Sequence, residues 1–467
     1  MRWNFHSHAE TAIGKATPYR LPKQLMLPRH LQTRAHDVSL EFSSTGIVDE
    51  RGFRESKVAS LSLNNSFHQK LETAAMRILF VTPLIPSQSD GRRPFNFLKH
   101  LAARYEIHLI CFRLPEQSES DLVPLREMGV IVRNVIPLQA ARYSLNCAFG
   151  LPLLRPLRVS WCWHPEMRDA IRSALRENFG VVHVDRERMG QYLPWIDRPN
   201  VLDLTDSLPL YYRRSLRARH TLAERAIDAW ESITIPAYER WASCQARAVV
   251  VCSSVDAHEV RQNCPGLTPW VIENGVDVRQ FSPKRRMASL EPKLILTGTM
   301  WYFPNIDAVR FYHQNLLPAI RRHFPYISTE IIGSRPTTEL LRLNGVMGIR
   351  VIPDVPRMED YLYTSDIYIC PLRVASGLRN KLLEAMAAGM AVVTTRLGSE
   401  GIGVQSEVHV LYAETPDQFV EQIKRLIDDA GFRQRLGERA RQYVQNHYTY
   451  SKLGNKLENL YSKLLKN

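Results

Sequence analysis

Residues 371–401 decide the fold and read Pro371-Leu-Arg-Val-Ala-Ser376-Gly377-Leu-Arg379-Asn380-Lys381-Leu-Leu-Glu384-Ala-Met-Ala-Ala-Gly389-Met-Ala-Val-Val-Thr-Thr395-Arg-Leu-Gly398-Ser-Glu400-Gly401. The apolar run Ile367 to Leu372 leads into this block and ends at Ser376-Gly377. A helical pattern follows, stops at Gly389 and gives way to a second apolar run. This order predicts strand, glycine turn, helix and strand, which is the repeating unit of a parallel α/β sheet.

The helix start in this block carries residue types that suit a phosphate-binding turn. A helix N-terminus offers free backbone N–H groups and a partial positive charge, so anions bind there readily. Arg379 and Lys381 are expected to contact a diphosphate, and Glu384 to accept hydrogen bonds from paired hydroxyls of a ribose or another sugar. Solvated cations at the helix start and a glutamate paired with the helix dipole are the alternatives, and the block alone leaves them open.

The block resembles the donor-binding helix of retaining GT-B glycosyltransferases, in particular the large group-4 family of nucleotide-sugar enzymes. That family usually has two glutamates around this helix. Glu384 matches the second, which holds the donor ribose, and Ser376 stands at the place of the first. The pattern Ser-Gly-x-x-Asn-Lys-x-x-Glu-Ala-Met-Ala is similar to a branch associated with exopolysaccharide and exosortase-linked systems. The resemblance covers residues 76–467 and implies a GT-B fold, in which two Rossmann-like domains face each other across a cleft.

Composition narrows the class of protein. The chain has 467 residues, 45% of them hydrophobic, which suffices for two domains of ordinary size and an appendage. No apolar run approaches the roughly 18 residues that span a bilayer, and the N-terminus lacks the apolar core of a secretory signal. Seven scattered cysteines without paired spacing indicate free thiols and no zinc site. We therefore expect a cytoplasmic protein that works in solution or at the inner face of the membrane.

The charge of the chain indicates anionic partners. The formal net charge is +14 and the pI is about 9.5, which favours phosphates, nucleic acid or an acidic membrane face. No zinc finger, aromatic RNA-binding motif or long Lys/Arg run is present, so nucleic acid is not expected as a partner. Residues 143–154 are apolar between Arg142 and Arg155, and we expect them either to rest on anionic lipid or to pack between domains.

The chain divides into an extension and two α/β domains. Residues 1–75 are polar and irregular, which predicts a disordered or poorly ordered N-terminal extension. Residues 76–285 and 286–467 each alternate apolar strands with helical patterns, which predicts doubly wound parallel sheets. The resemblance assigns the acceptor to the first domain and the nucleotide-sugar donor to the second, which includes the terminal helices. Met76 is either the true start of the protein or the first residue after a genuine appendage.

A second glycine-containing loop follows the first predicted strand of the second domain. It runs from Gly298 and Thr299 to Asn305, with three aromatic residues and a proline between them. Glycine permits a close approach of backbone to ligand, and the resemblance assigns Gly298, Thr299 and Asn305 to donor binding together with Gly377. An ordinary strand–helix turn with aromatic side chains in the core is the alternative.

Strand ends in the first domain supply the candidates for the acceptor side. The resemblance assigns Gly91 and Arg93, in the loop after the first strand, to the acceptor side, with a plain surface turn as the alternative. Two later predicted strands end near His183 and Asp206, where side chains are expected to enter the cleft. Asp206 is predicted to be catalytic by orienting the acceptor hydroxyl or offsetting charge, and a helix N-cap role is the alternative.

These features predict a glycosyltransferase that moves a sugar from a nucleotide-diphosphate donor to a hydroxyl of a polysaccharide or lipid-linked glycan, with retention. Lys381 is expected to stabilise the leaving diphosphate, as a second catalytic residue beside Asp206. We expect no metal and no cofactor, because the nucleotide sugar is the substrate. Two alternatives remain: a nucleotide-sugar epimerase of the same fold, and a catalytically degenerate partner of another transferase, which Ser376 suggests.

Overall fold

The computed structural model describes residues 76–88, 91–219, 221–282 and 292–466. The predicted N-terminal extension, 1–75, lies outside the described residues, as do residues 283–291, which include the predicted boundary between the two domains.

The first sheet is parallel throughout and has seven strands in the order β3-β2-β1-β4-β5-β6-β7. Its strands are β1 (Arg77–Thr82), β2 (Glu106–Arg113), β3 (Ile131–Pro137), β4 (Val181–Asp185), β5 (Asn200–Thr205), β6 (Ala248–Val251) and β7 (Trp270–Val271). The helices between them are α1 (Arg92–Leu101), α2 (Val123–Glu127), α3 (Ala140–Gly150), α4 (Leu157–Trp161), α5 (Pro165–Ala174), α6 (Leu208–Ala218), α7 (Leu222–Gln245) and α8 (Ser254–Asn263).

The second sheet repeats this plan with six parallel strands in the order β10-β9-β8-β11-β12-β13. Its strands are β8 (Lys293–Thr297), β9 (Ser328–Gly333), β10 (Ile349–Pro353), β11 (Ile367–Cys370), β12 (Ala391–Thr394) and β13 (Leu411–Tyr412). The helices are α9 (Phe303–Phe311), α10 (Leu317–His323), α11 (Thr338–Leu341), α12 (Met358–Thr364), α13 (Asn380–Ala387), α14 (Pro416–Asp428), α15 (Ala430–His447) and α16 (Tyr450–Lys466). The predicted pair of doubly wound parallel sheets is confirmed.

The strand order determines where each sheet can bind a ligand. In the first sheet β1 lies between β2 and β4, and in the second β8 lies between β9 and β11. Loops that leave neighbouring strands in opposite directions open a crevice at the carboxyl edge of such a sheet. The crevice of the second sheet is therefore flanked by the loops after β8 and β11, which are the two loops selected from the sequence.

The last helix packs on the first sheet, although it follows the second in the chain. Leu453, Leu457, Leu460 and Tyr461 of α16 are buried in the same apolar cluster as Phe80 of β1. The sequence pattern had grouped this helix with the second domain. Its apolar stripe meets the face of β1 and β4, because one face of that sheet needs a helix to cover it.

The segment that leads from the second domain back to the first lies beside the segment that leaves the first domain. The backbone N–H of Val276, just before the interdomain link, donates to the carbonyl oxygen of Tyr448 at 2.8 Å. Val276 also forms a parallel bridge with Thr449, directly before α16. The two crossing segments are thus hydrogen-bonded to each other.

Leu457→Ala tests the packing of α16. Leu457 is fully buried, so truncation should lower the free energy of unfolding by about 2–5 kcal/mol, through lost transfer energy and a residual cavity. Leu465 on the same helix is 47% exposed, and Leu465→Ala is the matched control with an expected cost below about 1 kcal/mol. Urea denaturation followed by circular dichroism measures both, and equal costs would contradict the docking of this helix on the first sheet.

Candidate functional site

The loop after β8 is folded around the amide of Asn305. Gly298 has a φ of 156°, and a Cβ atom there would lie 2.7 Å from Asn305 Nδ2, so only glycine fits. Asn305 Nδ2 donates to the carbonyl oxygen of Thr299 at 2.9 Å, and Lys381 Nζ donates to Asn305 Oδ1 at 2.7 Å. The structure thus brings these four predicted donor residues together at one crevice, where burial lowers the pKa of Lys381.

The turn after β11 touches the first domain directly. Gly377 has a φ of 70°, and a Cβ atom there would lie 1.9 Å from Asp206 Oδ1. The backbone N–H of Gly377 donates to Asp256 Oδ1 at 3.3 Å, and Ser207 N–H donates to the same oxygen at 2.9 Å. The donor-side turn and the segment after β5 therefore meet at two carboxylates, those of Asp206 and Asp256. Asp206 lies against Gly377, the residue that follows Ser376.

Asp206 is presented to the cleft by a distorted strand end. The pairing of β5 with β6 shifts register between Asp203 and Thr205, and Thr205 has a φ of 66°. The N-cap of α6 is Ser207, whose side chain accepts from Leu210 N–H, so the N-cap interpretation of Asp206 is wrong. Burial, followed by the nearby Asp256 carboxylate, raises the pKa of Asp206 to about 6.

Glu384 on α13 pairs with Arg92, which begins α1 in the first domain. Arg92 Nε also donates to the carbonyl oxygen of Gln88 at 2.6 Å, which fixes the guanidinium beside the cleft. Burial raises the pKa of Glu384, and the positive charge of Arg92 opposes that shift. The predicted ribose-binding carboxylate therefore lies at the domain interface with a cation from the facing domain.

Arg379 lies against protein groups of its own loop. Its Nη1 donates to the carbonyl oxygens of Gly377 and Glu400, the latter at 2.9 Å. The side chain is buried, and within the described residues its Nε has no hydrogen-bond partner. Arg379 thus braces the turn, and the diphosphate contact predicted for it stays a prediction.

Arg214 of α6 belongs to the same network and was missed in the sequence. It donates to Ala375 O at 2.7 Å and to both oxygens of Glu400 at 2.7 and 2.9 Å. This is a bidentate ion pair between the two domains. The only sequence signal was a cluster of arginines in a segment that the apolar pattern had not marked as a helix.

Arg93 and His183, predicted on the acceptor side, are buried in the first domain. Arg93 donates to Asp203 Oδ2 at 2.8 Å and to Glu273 O at 2.9 Å. His183 is 1% exposed and hydrogen-bonded to Tyr461 OH at 2.8 Å, and burial lowers its pKa to about 4. The expectation that His183 opens to the cleft is wrong, because it occupies the middle of β4, on the face that α16 covers.

Two other residues of the first domain lie at the ends of elements, one directly before a helix and one at the end of a strand. Gly91, the third predicted acceptor-side residue, has a φ of 73° and precedes the first residue of α1. Asp185 ends β4, where burial raises its pKa to about 7. Its Oδ2 is buried without a hydrogen-bond partner among the described residues.

The apolar segment after β3 forms an exposed surface. Phe149 is 72% exposed and Leu153 64%, and Leu145, Leu151 and Leu154 are exposed beside them. The alternative of packing between domains is therefore wrong. Among the residues that the structure describes, no helix is long and apolar enough to cross a membrane. The same part of the chain holds no cluster of three or more His, Cys, Asp or Glu side chains arranged for a metal ion.

The second domain matches a known family. Residues 291–429 match the family model described as Glycosyl transferases group 1. In Bacillus subtilis, Spore coat protein SA is 30% identical over 222 residues, which is 41% of this chain and 58% of that protein. The putative glycosyltransferase YtcC, also of B. subtilis, is 27% identical over 115 residues, 24% of this chain and 28% of that protein. The alignments thus span less than two thirds of either relative.

Solved structures with the same architecture cover most of the chain. A glycosyltransferase from Rickettsia africae superposes with a TM-score of 0.59 at 14% identity, over 84% of this chain and all of that one. Sucrose-phosphate synthase from Thermosynechococcus elongatus has a TM-score of 0.61 at 13% identity, over 84% and 99%. HepE of Anabaena, in complex with UDP and glucose, has a TM-score of 0.56 at 13% identity, over 83% and 99%. At these identities the likeness establishes the fold. The chain has the GT-B fold predicted from its sequence, and residues 291–429 of its second domain are similar to the group 1 glycosyl transferases.

Proposed function

We propose that this protein transfers a sugar, with retention of configuration, from a nucleotide diphosphate to a hydroxyl of a polysaccharide or lipid-linked glycan. One observation carries the proposal. The turn after β11 and helix α13 meet the first domain at a single cleft, with Gly377 against Asp206 and Glu384 paired with Arg92, and Lys381 of α13 donates to Asn305 of the other donor loop. A site divided between two domains suits a reaction that joins two substrates.

In the proposed reaction the bond from the sugar C1 to the diphosphate oxygen breaks. The acceptor oxygen bonds to C1 on the same face, and its proton passes to the departing diphosphate. Lys381 and the N-terminus of α13 offset the charge that develops on the diphosphate, without a metal. Glu384 holds the ribose hydroxyls, and Asp206 orients the acceptor hydroxyl. Asp206 also supplies a carboxylate beside Ser376, at the place where the resemblance leads one to expect a glutamate.

Release of nucleotide diphosphate from a panel of nucleotide sugars tests the proposal. UDP-sugars come first, because HepE was solved with UDP. A transferase releases nucleotide and a new glycoside with the donor's anomeric configuration, read by NMR. An epimerase would return an isomerised nucleotide sugar, and a degenerate partner would release nothing. Either result would overturn the proposal.

Lys381→Ala should weaken nucleotide-diphosphate binding by about 10- to 100-fold, the cost of one charge-assisted hydrogen bond. Titration calorimetry with UDP measures the dissociation constant. Lys424→Ala, an exposed lysine paired with Asp428 on α14, is the matched control and should bind like the parent protein. Unchanged affinity in Lys381→Ala would remove this residue from the donor site.

The pH profile tests Asp206. Because the pKa of Asp206 is raised to about 6, its carboxylate protonates below that pH, and kcat/KM should fall about tenfold per pH unit there. Asp206→Asn should lower kcat by about 10²- to 10⁴-fold and abolish this acid limb. Asp185→Asn is the control, because the pKa of Asp185 is raised to about 7. A limb near pH 7 that disappears only in Asp185→Asn would assign the titration to Asp185 instead.

We also propose that the exposed segment after β3 rests on anionic lipid, where a lipid-linked acceptor would be found. Its apolar side chains are bordered by the exposed Arg155, and cations at the rim of an apolar patch favour an acidic membrane face. Phe149→Ser with Leu153→Ser should reduce co-sedimentation with phosphatidylglycerol vesicles about tenfold or more. Tyr326→Ser, at an 81% exposed aromatic residue of the second domain, is the control. Equal sedimentation of all three proteins would contradict the lipid contact.

A further inference from the structure

A basic cavity of about 660 Å³ lies between α6 of the first domain and the loop after β11 of the second. Five arginines line it, together with a single acid, Asp307, and three aliphatic residues. The arginines are Arg213, Arg214, Arg217, Arg219 and Arg373. None of these residues was assigned a role from the sequence, and α6, which supplies most of them, was not predicted as a helix.

Three of these arginines are held in place by other groups. Arg373 donates to both oxygens of Asp307, at 2.6 and 3.1 Å, and Arg214 is fixed by Glu400. Arg219 donates to Asp228 Oδ2 at 2.8 Å and lies over the ring of Phe303. Guanidinium groups that are already oriented lose little freedom when they bind an oxyanion in a bidentate manner.

The other two arginines are exposed on α6, and of the two only Arg213 has an acidic partner among the described residues. Arg213 and Arg217 lie four residues apart on α6, a spacing that sets like charges side by side and destabilises a helix slightly. Arg213 pairs with Glu259, whereas Arg217 is exposed and has no acidic partner among the described residues. An anion in the cavity would relieve this repulsion.

The cavity adjoins the donor-side turn. Val374 lines it, and the next residue, Ala375, gives its carbonyl oxygen to Arg214 at 2.7 Å. Ser376 and Gly377 follow at once, at the point of contact with Asp206. An anionic group held by the arginines would thus lie next to the place where the proposed function puts the transferred sugar.

We propose that the cavity binds a phosphate group of the acceptor, so that the acceptor is a phosphate-bearing glycan or lipid. This inference rests on the proposed function and specifies its acceptor. Arginine forks match phosphate geometry, and the oriented Arg214 and Arg373 line the cavity from the first and the second domain, respectively. The phosphate belongs either to a lipid carrier or to a soluble phosphate ester, and vesicles distinguish the two.

Binding is tested with inorganic phosphate, titrated into the full-length protein by calorimetry. Arg217→Gln, and Arg213→Gln with Arg217→Gln, should weaken phosphate binding stepwise, by about tenfold or more in the double variant. Lys381→Ala should retain this binding, which separates the cavity from the donor site. Arg240→Gln, at an exposed arginine of α7 outside the cavity, is the matched control. Phosphate affinity that is the same in the double variant and the control overturns the inference.

Phosphatidylcholine vesicles with and without phosphatidic acid identify the source of the phosphate. If the double variant binds vesicles with phosphatidic acid more weakly than the parent protein does, but binds the other vesicles equally well, the phosphate belongs to a lipid. Weakened inorganic phosphate binding with unchanged vesicle binding supports a soluble phosphate ester. In both cases UDP should bind the double variant as tightly as the parent protein. If UDP binds and the double variant keeps full phosphate affinity, only the inference about the cavity is refuted. If UDP does not bind the parent protein, the proposed function is refuted.

Discussion

The close approach of Gly377 to the carboxylate of Asp206 is the constraint on which the rest of the site depends. It requires glycine at the turn, a left-handed Thr205 at the end of β5, and two domains close enough for backbone to meet carboxylate. Asp256 secures the contact, because it accepts hydrogen bonds from both sides of the interface. Any ligand in this cleft is therefore in reach of groups from both sheets.

Two ion pairs also span the cleft, Arg92 with Glu384 and Arg214 with Glu400. Partly exposed pairs of this kind contribute about 0–1 kcal/mol each, a small amount beside the free energy of binding a nucleotide. These two ion pairs therefore add little to the cost of separating the domains. The pairing of Glu384 with Arg92 also keeps a cation at the predicted ribose position while the cleft is closed.

Local patterns predicted the parts of the fold that depend on neighbouring residues. The sequence predicts a strand over 77–82, the observed bounds of β1, and a helix over 379–388, one residue longer at each end than α13. A buried strand, a glycine turn and an amphipathic helix are all determined by short stretches of sequence. Gly298, Asn305 and Lys381 meet because β8 and β11 are neighbours in the sheet, an order that local patterns did not predict. The resemblance supplied the roles of these residues, which the pattern alone could not.

The remaining differences come from long-range packing. His183 is buried because α16, nearly three hundred residues later, covers that face of β4. Arg379 meets Glu400 only because the turn folds back on the loop after β12. Helix α6 was missed because Pro209 and two adjacent tyrosines obscure its period, although Ser207 caps it. The basic cavity was missed with it, since its arginines come from segments more than 150 residues apart.

The hydrogen bond between Val276 and Tyr448 has a mechanical consequence. A pair of domains joined by one segment can twist and swing in any direction. Here two segments cross side by side and are bonded to each other, so they act as a narrow strap. Two bonded crossings oppose a twist of one domain against the other more than a single crossing does, so the connection favours rocking over twisting.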